Sequence, residues 1–305
     1  MEHILVYLSA HWLILTGGVL LGFLLGFMTG LFGAGGGFIL TPVLNIFLGL
    51  PMNIAVGTSS CQVLGASTFS LYHHFDKRLL GIRVAAFMGL GIPAGSLLGV
   101  YAVRLLTGLP EITVLGRELK AVDFILLTFF AFFLAMISVF LVLDNFYLNK
   151  NKVDDESSHK GLLADLRIFP LVKFKTIPHG EFSASILVLI GFIVGFISGL
   201  LGIGGGVIIL PVLFYLVGQE TKYAALTGTM LIMASCLFST IGHAFNRNID
   251  YVLVIILLTG AFFGTKLGAN TQKKVSGKSI RKYFAVIVMA AALVVIGKLL
   301  KMVCF

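Results

Sequence analysis

The sequence predicts an all-α, polytopic membrane protein. About ten transmembrane segments are expected, in two inverted five-segment repeats with glycine-broken half-helices. Three observations carry that expectation. First, 58% of the residues are hydrophobic and 11% are charged, against about 25% charged in a soluble domain. Second, long uncharged runs recur, among them Trp12–Phe32, Ile54–Phe75, Val84–Val103, Phe124–Leu143, Ser183–Leu201, Tyr223–Asn246 and Tyr251–Thr265. About 20 apolar residues cross the hydrocarbon core of a bilayer. Third, one segment occurs twice. Residues 26–44, GFMTGLFGAGGGFILTPVL, return at 195–213 as GFISGLLGIGGGVIILPVL, with glycines and prolines kept at one offset of 169 residues. A duplicated, glycine-broken apolar segment is the best sequence pointer to the binding site of a secondary transporter.

The chain divides into a first repeat (1–148), a polar cytoplasmic linker (149–182) and a second repeat (183–305). The first apolar run leads directly into Gly33-Ala34-Gly35-Gly36-Gly37, whose counterpart is Gly202-Ile203-Gly204-Gly205-Gly206. Met1–His11 has no Lys or Arg to form the charged start of a signal peptide. Each glycine costs about 1 kcal/mol against Ala inside a helix, so such a cluster abandons the helical ladder. Irregular backbone at membrane depth must be buried in protein or line a watery cavity. Phe38–Leu50, which follows the first break, would rise about 20 Å as a helix, against a core of about 30 Å. Val207–Val217 is shorter still. These are expected to be half-helices, with Pro42 and Pro211 in their first turns, where a missing N–H costs little.

The correspondence continues past the breaks. Ala55-Val56-Gly57-Thr58-Ser59 resembles Leu226-Thr227-Gly228-Thr229-Met230, and His73-His74-Phe75 resembles His243-Ala244-Phe245. Gly91, Gly95 and Gly99 match Gly260, Gly264 and Gly268. Each half ends in one more apolar run. Five segments per half is odd, so the second half enters the membrane from the opposite side. Lys and Arg agree. With both termini outside, the inner loops hold basic residues such as Lys77, Arg78, Arg83, Lys150, Lys273 and Lys282, and far fewer lie outside. This is the positive-inside bias. Eight uninterrupted spans would divide them more evenly.

That same pattern accounts for the formal charge of +9, so no nucleic-acid partner is expected. Cys61, Cys236 and Cys304 show no paired spacing for a metal or a disulfide framework. The glycine clusters lack the third Gly and the downstream acid of a dinucleotide loop. No HExxH or GxSxG pattern occurs. The chain is therefore not expected to be an enzyme or to hold a cofactor or metal.

The Asp and Glu residues all fall in loops or near segment ends. A cation in a membrane core must be paired with such groups, so the substrate is expected to be a small anion. Helix N-termini carry about half a positive charge and bind anions through free N–H groups. The candidate substrate-binding residues are Gly35, Gly36, Gly37 and Phe38 at the first break, and Gly204, Gly205, Gly206 and Val207 at the second. Thr58, Ser59, Ser60, Thr227 and Thr229 follow in matching places and supply hydroxyls. Any one of them equally fits a hydroxyl bonded within its own helix. His73, His74 and His243 lie near segment ends and read first as interfacial. They are also candidates for coupling or gating, with a proton or sodium ion as the coupling partner. Lys266 is a further candidate for gating or anion attraction, unless it snorkels to the inner face. The rival to a carrier is an anion channel of the same architecture. The sequence sets no oligomeric state.

At the paired GxxGxGGGxxxxP motifs, the GTS-like segments and the His-x-Phe ends, the chain resembles the sulfite exporter TauE/SafE family over residues 12–300, apart from the linker. The resemblance implies a carrier of sulfite, thiosulfate or organosulfonates, resident in a bacterial inner membrane and serving sulfur metabolism.

Overall fold

In a bilayer core, a helix is the local structure that satisfies its own N–H and C=O groups. The computed structural model describes residues 2–74, 81–114, 117–143, 161, 163, 168–174, 181–219 and 221–304. Its helices are α1 (Glu2–Phe32), α2 (Gly37–Phe47), α3 (Met52–His74), α4 (Ile82–Thr107), α5 (Ala121–Leu143), α6 (Ala184–Leu201), α7 (Gly206–Pro211), α8 (Thr221–Phe245), α9 (Tyr251–Gln272) and α10 (Gly277–Cys304). After Pro211, α7 widens into a π-helix over Val212–Val217. Two antiparallel hairpins, β1 (Glu111–Val114) with β2 (Arg117–Lys120) and β3 (Leu171–Lys173) with β4 (Glu181–Ser183), lie in connections.

Among the described residues, seven helices, α1, α4, α5, α6, α8, α9 and α10, are long and apolar enough to cross a membrane. The protein is thus a multi-pass membrane protein; the ten expected segments included two short half-helices, and α3 is the further helix outside this set of seven. The physical reason differs among the other three. The apolar helices at Gly37–Phe47 and Gly206–Val217 are short. α3 is 23 residues long but carries Thr58, Ser59, Ser60, Gln62, Ser67 and Ser70, all buried. It runs through the middle of the bundle, where protein rather than lipid surrounds it.

Glycine seams set the packing. Gly22, Gly26 and Gly30 of α1 face Leu257, Ala261 and Thr265 of α9 in ascending order, so these helices run parallel. Gly91, Gly95 and Gly99 of α4 face Val188, Phe192 and Phe196 of α6 in the same way. Rows of small residues let two backbones close to van der Waals distance, which is the main attraction between helices in lipid. α3 and α8 instead run antiparallel, since Gly57 lies beside His243 and Ser60 bonds Ser239. Contacts also recur when the halves are exchanged. Gly95 meets Phe192 as Gly264 meets Phe23, and Gly33 meets Ala225 as Gly202 meets Val56.

Some of the described linker residues are packed against the helices, although Ile168 and Phe169 are exposed. Phe174 and Phe182 are buried, and the Leu163 N–H donates to the Leu216 carbonyl at 3.2 Å. The polar stretch 149–160, Asp76 and the side chain of His74 lie outside the described residues.

The seams have a direct test within one helix. A Cβ at Gly95 would fall on the Phe192 carbonyl, whereas one at Gly89 meets nothing within 4 Å. Gly95→Ala is expected to lower stability by about 1–3 kcal/mol. Gly89→Ala should leave it unchanged or raise it slightly. Thermal unfolding of the purified protein in detergent distinguishes the two.

Candidate functional site

The two glycine clusters fold as interruptions. α6 ends at Gly202, whose φ is +68° and whose N–H returns to the Ser198 carbonyl at 2.8 Å. Gly204 and Gly205 follow at φ +67° and +74°; in the first break Gly33 and Gly35 take +67° and +65°. Left-handed backbone of this kind carries a steric cost for any residue with a Cβ.

A new helix starts after each break without a side-chain cap. The Gly36 carbonyl accepts from the N–H of Ile39 and Leu40, and the Gly205 carbonyl from those of Ile208 and Ile209. The N–H groups of Gly37, Phe38, Gly206 and Val207 precede the first donors to these carbonyls and belong to the opening turns, whose N–H groups have no partner within their own helix. Pro42 and Pro211 are each the sixth helical residue. That is one residue further into the helix than expected, and beyond the four N–H groups a helix leaves free, so the missing N–H is not without cost. Each therefore also deprives a carbonyl four residues back, Phe38 or Val207, of its donor.

The interruptions meet. A Cβ on Gly37 would stand 2.9 Å from the Gly202 oxygen and from the Ile203 Cα, and one on Gly206 would strike the Ala34 carbonyl. Gly35 and Gly204 both lie against Val63 of α3 and Ile232 of α8, which sit near the midpoints of those helices. Gly36 packs on Leu25 of α1, and Gly205 on Val194 of α6. The Ser59 hydroxyl links the two breaks: its Oγ lies 2.9 Å from the Gly202 oxygen and 3.5 Å from the Gly37 oxygen. Phe38 and Val207 are fully buried. α2, about 16 Å long, runs from this junction towards one end of the bundle, and α7 runs towards the other.

Other predicted residues are held elsewhere. Thr229 Oγ1 lies beside Gly33 but donates to the Ala225 carbonyl of its own helix at 2.9 Å. Thr58 Oγ1 accepts from the Asp250 N–H at 3.0 Å, and Ser60 pairs with Ser239 at 2.9 Å. Thr227 Oγ1 accepts from the Gly81 N–H and from Gln219 Nε2, at 3.2 Å each. These three hydroxyls fasten loops and helices around the junction rather than lining it.

His243 departs from the interfacial reading, for it is fully buried. Its Nε2 lies 3.2 Å from the Gly199 oxygen, so that nitrogen carries the proton and donates. Nδ1 accepts from the Asn248 amide at 3.5 Å. Asn248 in turn accepts from Asn53 at 3.0 Å. This chain of bonds is the polar feature of α8 that periodicity does not reveal. His73 packs against Phe262, with ring centres 5.8 Å apart. Lys266 is on the exposed face of α9, as snorkelling requires, and is not brought to the breaks.

Two clefts open at the end of the bundle where α2 finishes. One of about 420 Å³ carries Asn45, Lys120, Asp123, Lys298 and Lys301. The other, of about 450 Å³, carries Arg104, Arg247 and Asn248. At the junction, Gly35 and Gly204 pack against Val63 and Ile232, and Gly37 and Gly206 against backbone of the other break.

Comparison with known proteins fits a bundle of this kind. The sequence pattern described as Sulfite exporter TauE/SafE matches residues 18–295. The chain belongs to the sulfite exporter TauE/SafE family. Its relatives include the probable membrane transporter protein YunE of Bacillus subtilis, 26% identical over 92% of this chain and 94% of its own length. The probable membrane transporter protein MJ0441 of Methanocaldococcus jannaschii is 27% identical over 86% of this chain and 88% of its own. YjnA of Bacillus subtilis, with the same descriptive name, is 25% identical over 90% and 97%. No solved structure matches the chain. The protein is thus a membrane transporter of the TauE/SafE family, with its two glycine breaks back to back inside the bundle.

The Ser59 bridge should be measurable. Ser59→Ala is expected to cost about 1 kcal/mol of stability and to slow transport. Thr68→Ala removes an exposed hydroxyl that bonds its own helix and should do neither. Equal behaviour of the two variants in unfolding and flux would show that the bridge does not matter.

Proposed function

We propose that the chain is a secondary transporter that moves a sulfur-containing anion, sulfite or an organosulfonate, across a bacterial inner membrane by alternating access. The single observation that carries this reading is the convergence of two half-helix N-termini at mid-bundle. Both present free N–H groups to one place. Each end carries about half a positive charge, so an anion between them relieves both. The backbone of Gly35, Gly36, Gly37 and Phe38 and of Gly204, Gly205, Gly206 and Val207 forms the binding site, with Ser59 and Thr229 at its edge. Thr58, Ser60 and Thr227 hold its surroundings in place.

The architecture is two inverted five-helix repeats. Three observations support this: the parallel α1–α9 and α4–α6 pairs, the antiparallel α3–α8 pair, and contacts that recur on exchanging the halves. A two-fold axis in the membrane plane relates such an arrangement. The tight glycine seams cross between the halves, so the bodies that rock are seam-joined sets, each drawn from both repeats, rather than 1–148 against 183–305. The positive-inside bias supports an orientation with both termini outside. The clefts with Lys120, Lys298, Lys301, Arg104 and Arg247 then face outwards and raise the local concentration of anions. A proton or sodium gradient, or the substrate gradient alone, supplies the energy.

Flux of sulfite in proteoliposomes tests the mechanism. Saturable uptake that is accelerated by sulfite on the opposite side is expected. Flux that rises linearly with concentration and shows no exchange would mean a channel instead. Gly36→Leu and Gly205→Leu, which crowd Leu25 and Val194, should abolish the flux while the protein remains in the membrane.

A further inference from the structure

Among the described residues, few buried side-chain atoms lack a hydrogen-bond partner, and Gln62 is the one side chain that contributes two of them, Oε1 and Nε2. A buried hydroxyl can turn to a carbonyl of its own helix. A carboxamide unpaired at both ends has no such local remedy, and its burial is costly. Gln62 has no exposed surface. It lies one turn after Ser59, whose hydroxyl links the two breaks. It immediately precedes Val63, which touches both Gly35 and Gly204. Residues three apart share a helix face, so the amide stands beside the junction.

We infer that Gln62 is a substrate-binding residue, the third donor of a three-part site for a tri-oxygen anion head such as sulfite or a sulfonate. This rests on the transport reading above and adds a residue to it. The two half-helix N-termini supply backbone N–H groups from opposite sides, and Gln62 Nε2 supplies a neutral side-chain donor from α3. Its Oε1 accepts a hydrogen from the same solute or from a water that enters with it. The set contains no charged group, so the site binds and releases the anion without a fixed counter-charge to hold it. An unpaired buried amide costs stability that a Leu of similar size would not, which is the kind of cost a functional site carries.

The test separates binding from folding. Wild type, Gln62→Leu and Gln62→Asn are purified, melted with and without sulfite or methanesulfonate, and assayed for flux. Unliganded Gln62→Leu should melt about 2–4 °C higher than wild type, as expected when an unpaired buried polar group is removed. It should also show little stabilisation by either anion and a KM for sulfite raised about tenfold or more, the change expected on losing one hydrogen bond to a charged group. Gln62→Asn should fall between the two. Gln62→Leu with an unchanged KM overturns the assignment. So does Gln62→Leu that melts lower than wild type, which would make the amide a structural bond. If the wild type itself neither transports nor is stabilised by either anion, the transport reading falls, and this assignment with it.

Discussion

The structure depends on one constraint: backbone that leaves the helical ladder inside a membrane must be sheltered by other protein. The two glycine breaks meet it by sealing one another. Gly37 rests on Gly202 and Ile203, and Gly206 on the carbonyl of Ala34. Neither break is viable alone, because lipid offers its peptide groups nothing. This is why the interruption is duplicated and why both copies reach the same depth. It also explains the want of side chains. Two backbones cannot approach to carbonyl contact past a Cβ, so the residues at closest approach are glycines.

The rest of the bundle holds the breaks together. α3 and α8 cross at the junction and place Val63 and Ile232 against both breaks. Around them, the α1–α9 and α4–α6 seams bring helices from opposite halves into close contact. The strongest packing therefore runs between repeats. Buried polar residues gather on the central helices, where Ser59, Ser60 and Ser239 find partners across helix boundaries. His243 belongs to the same set through Gly199 and Asn248. A central helix can be this polar because its neighbours are protein, and α3 accordingly falls short of the apolarity that a lipid-facing span needs.

What was legible in the chain was local and repeated. The broken segments, their offset and the short helices after them all follow from steric and hydrophobic rules acting within a few residues. What was not legible depended on partners distant in sequence. His243 and His73 share a setting at a segment end, yet the first bonds to α6 and the second packs against Phe262, midway along α9. Lys266 sits in an apolar run, and only the rotation of α9 decides that it faces outwards. Thr58 and Thr227 looked like site hydroxyls, but Asp250, Gly81 and Gln219 claim them. Gln62 was one polar residue among many until its surroundings left both ends of its amide unpaired.

The amino-acid order by itself determined a multi-pass helical membrane protein with two glycine interruptions, because chain stiffness and transfer from water are properties of short segments. The tertiary structure alone decided that the interruptions face each other, which helices form the seams and which hydroxyls are already engaged. Those outcomes depend on matching surfaces far apart in the chain, and no rule of spacing along one segment encodes the identity of its distant neighbour.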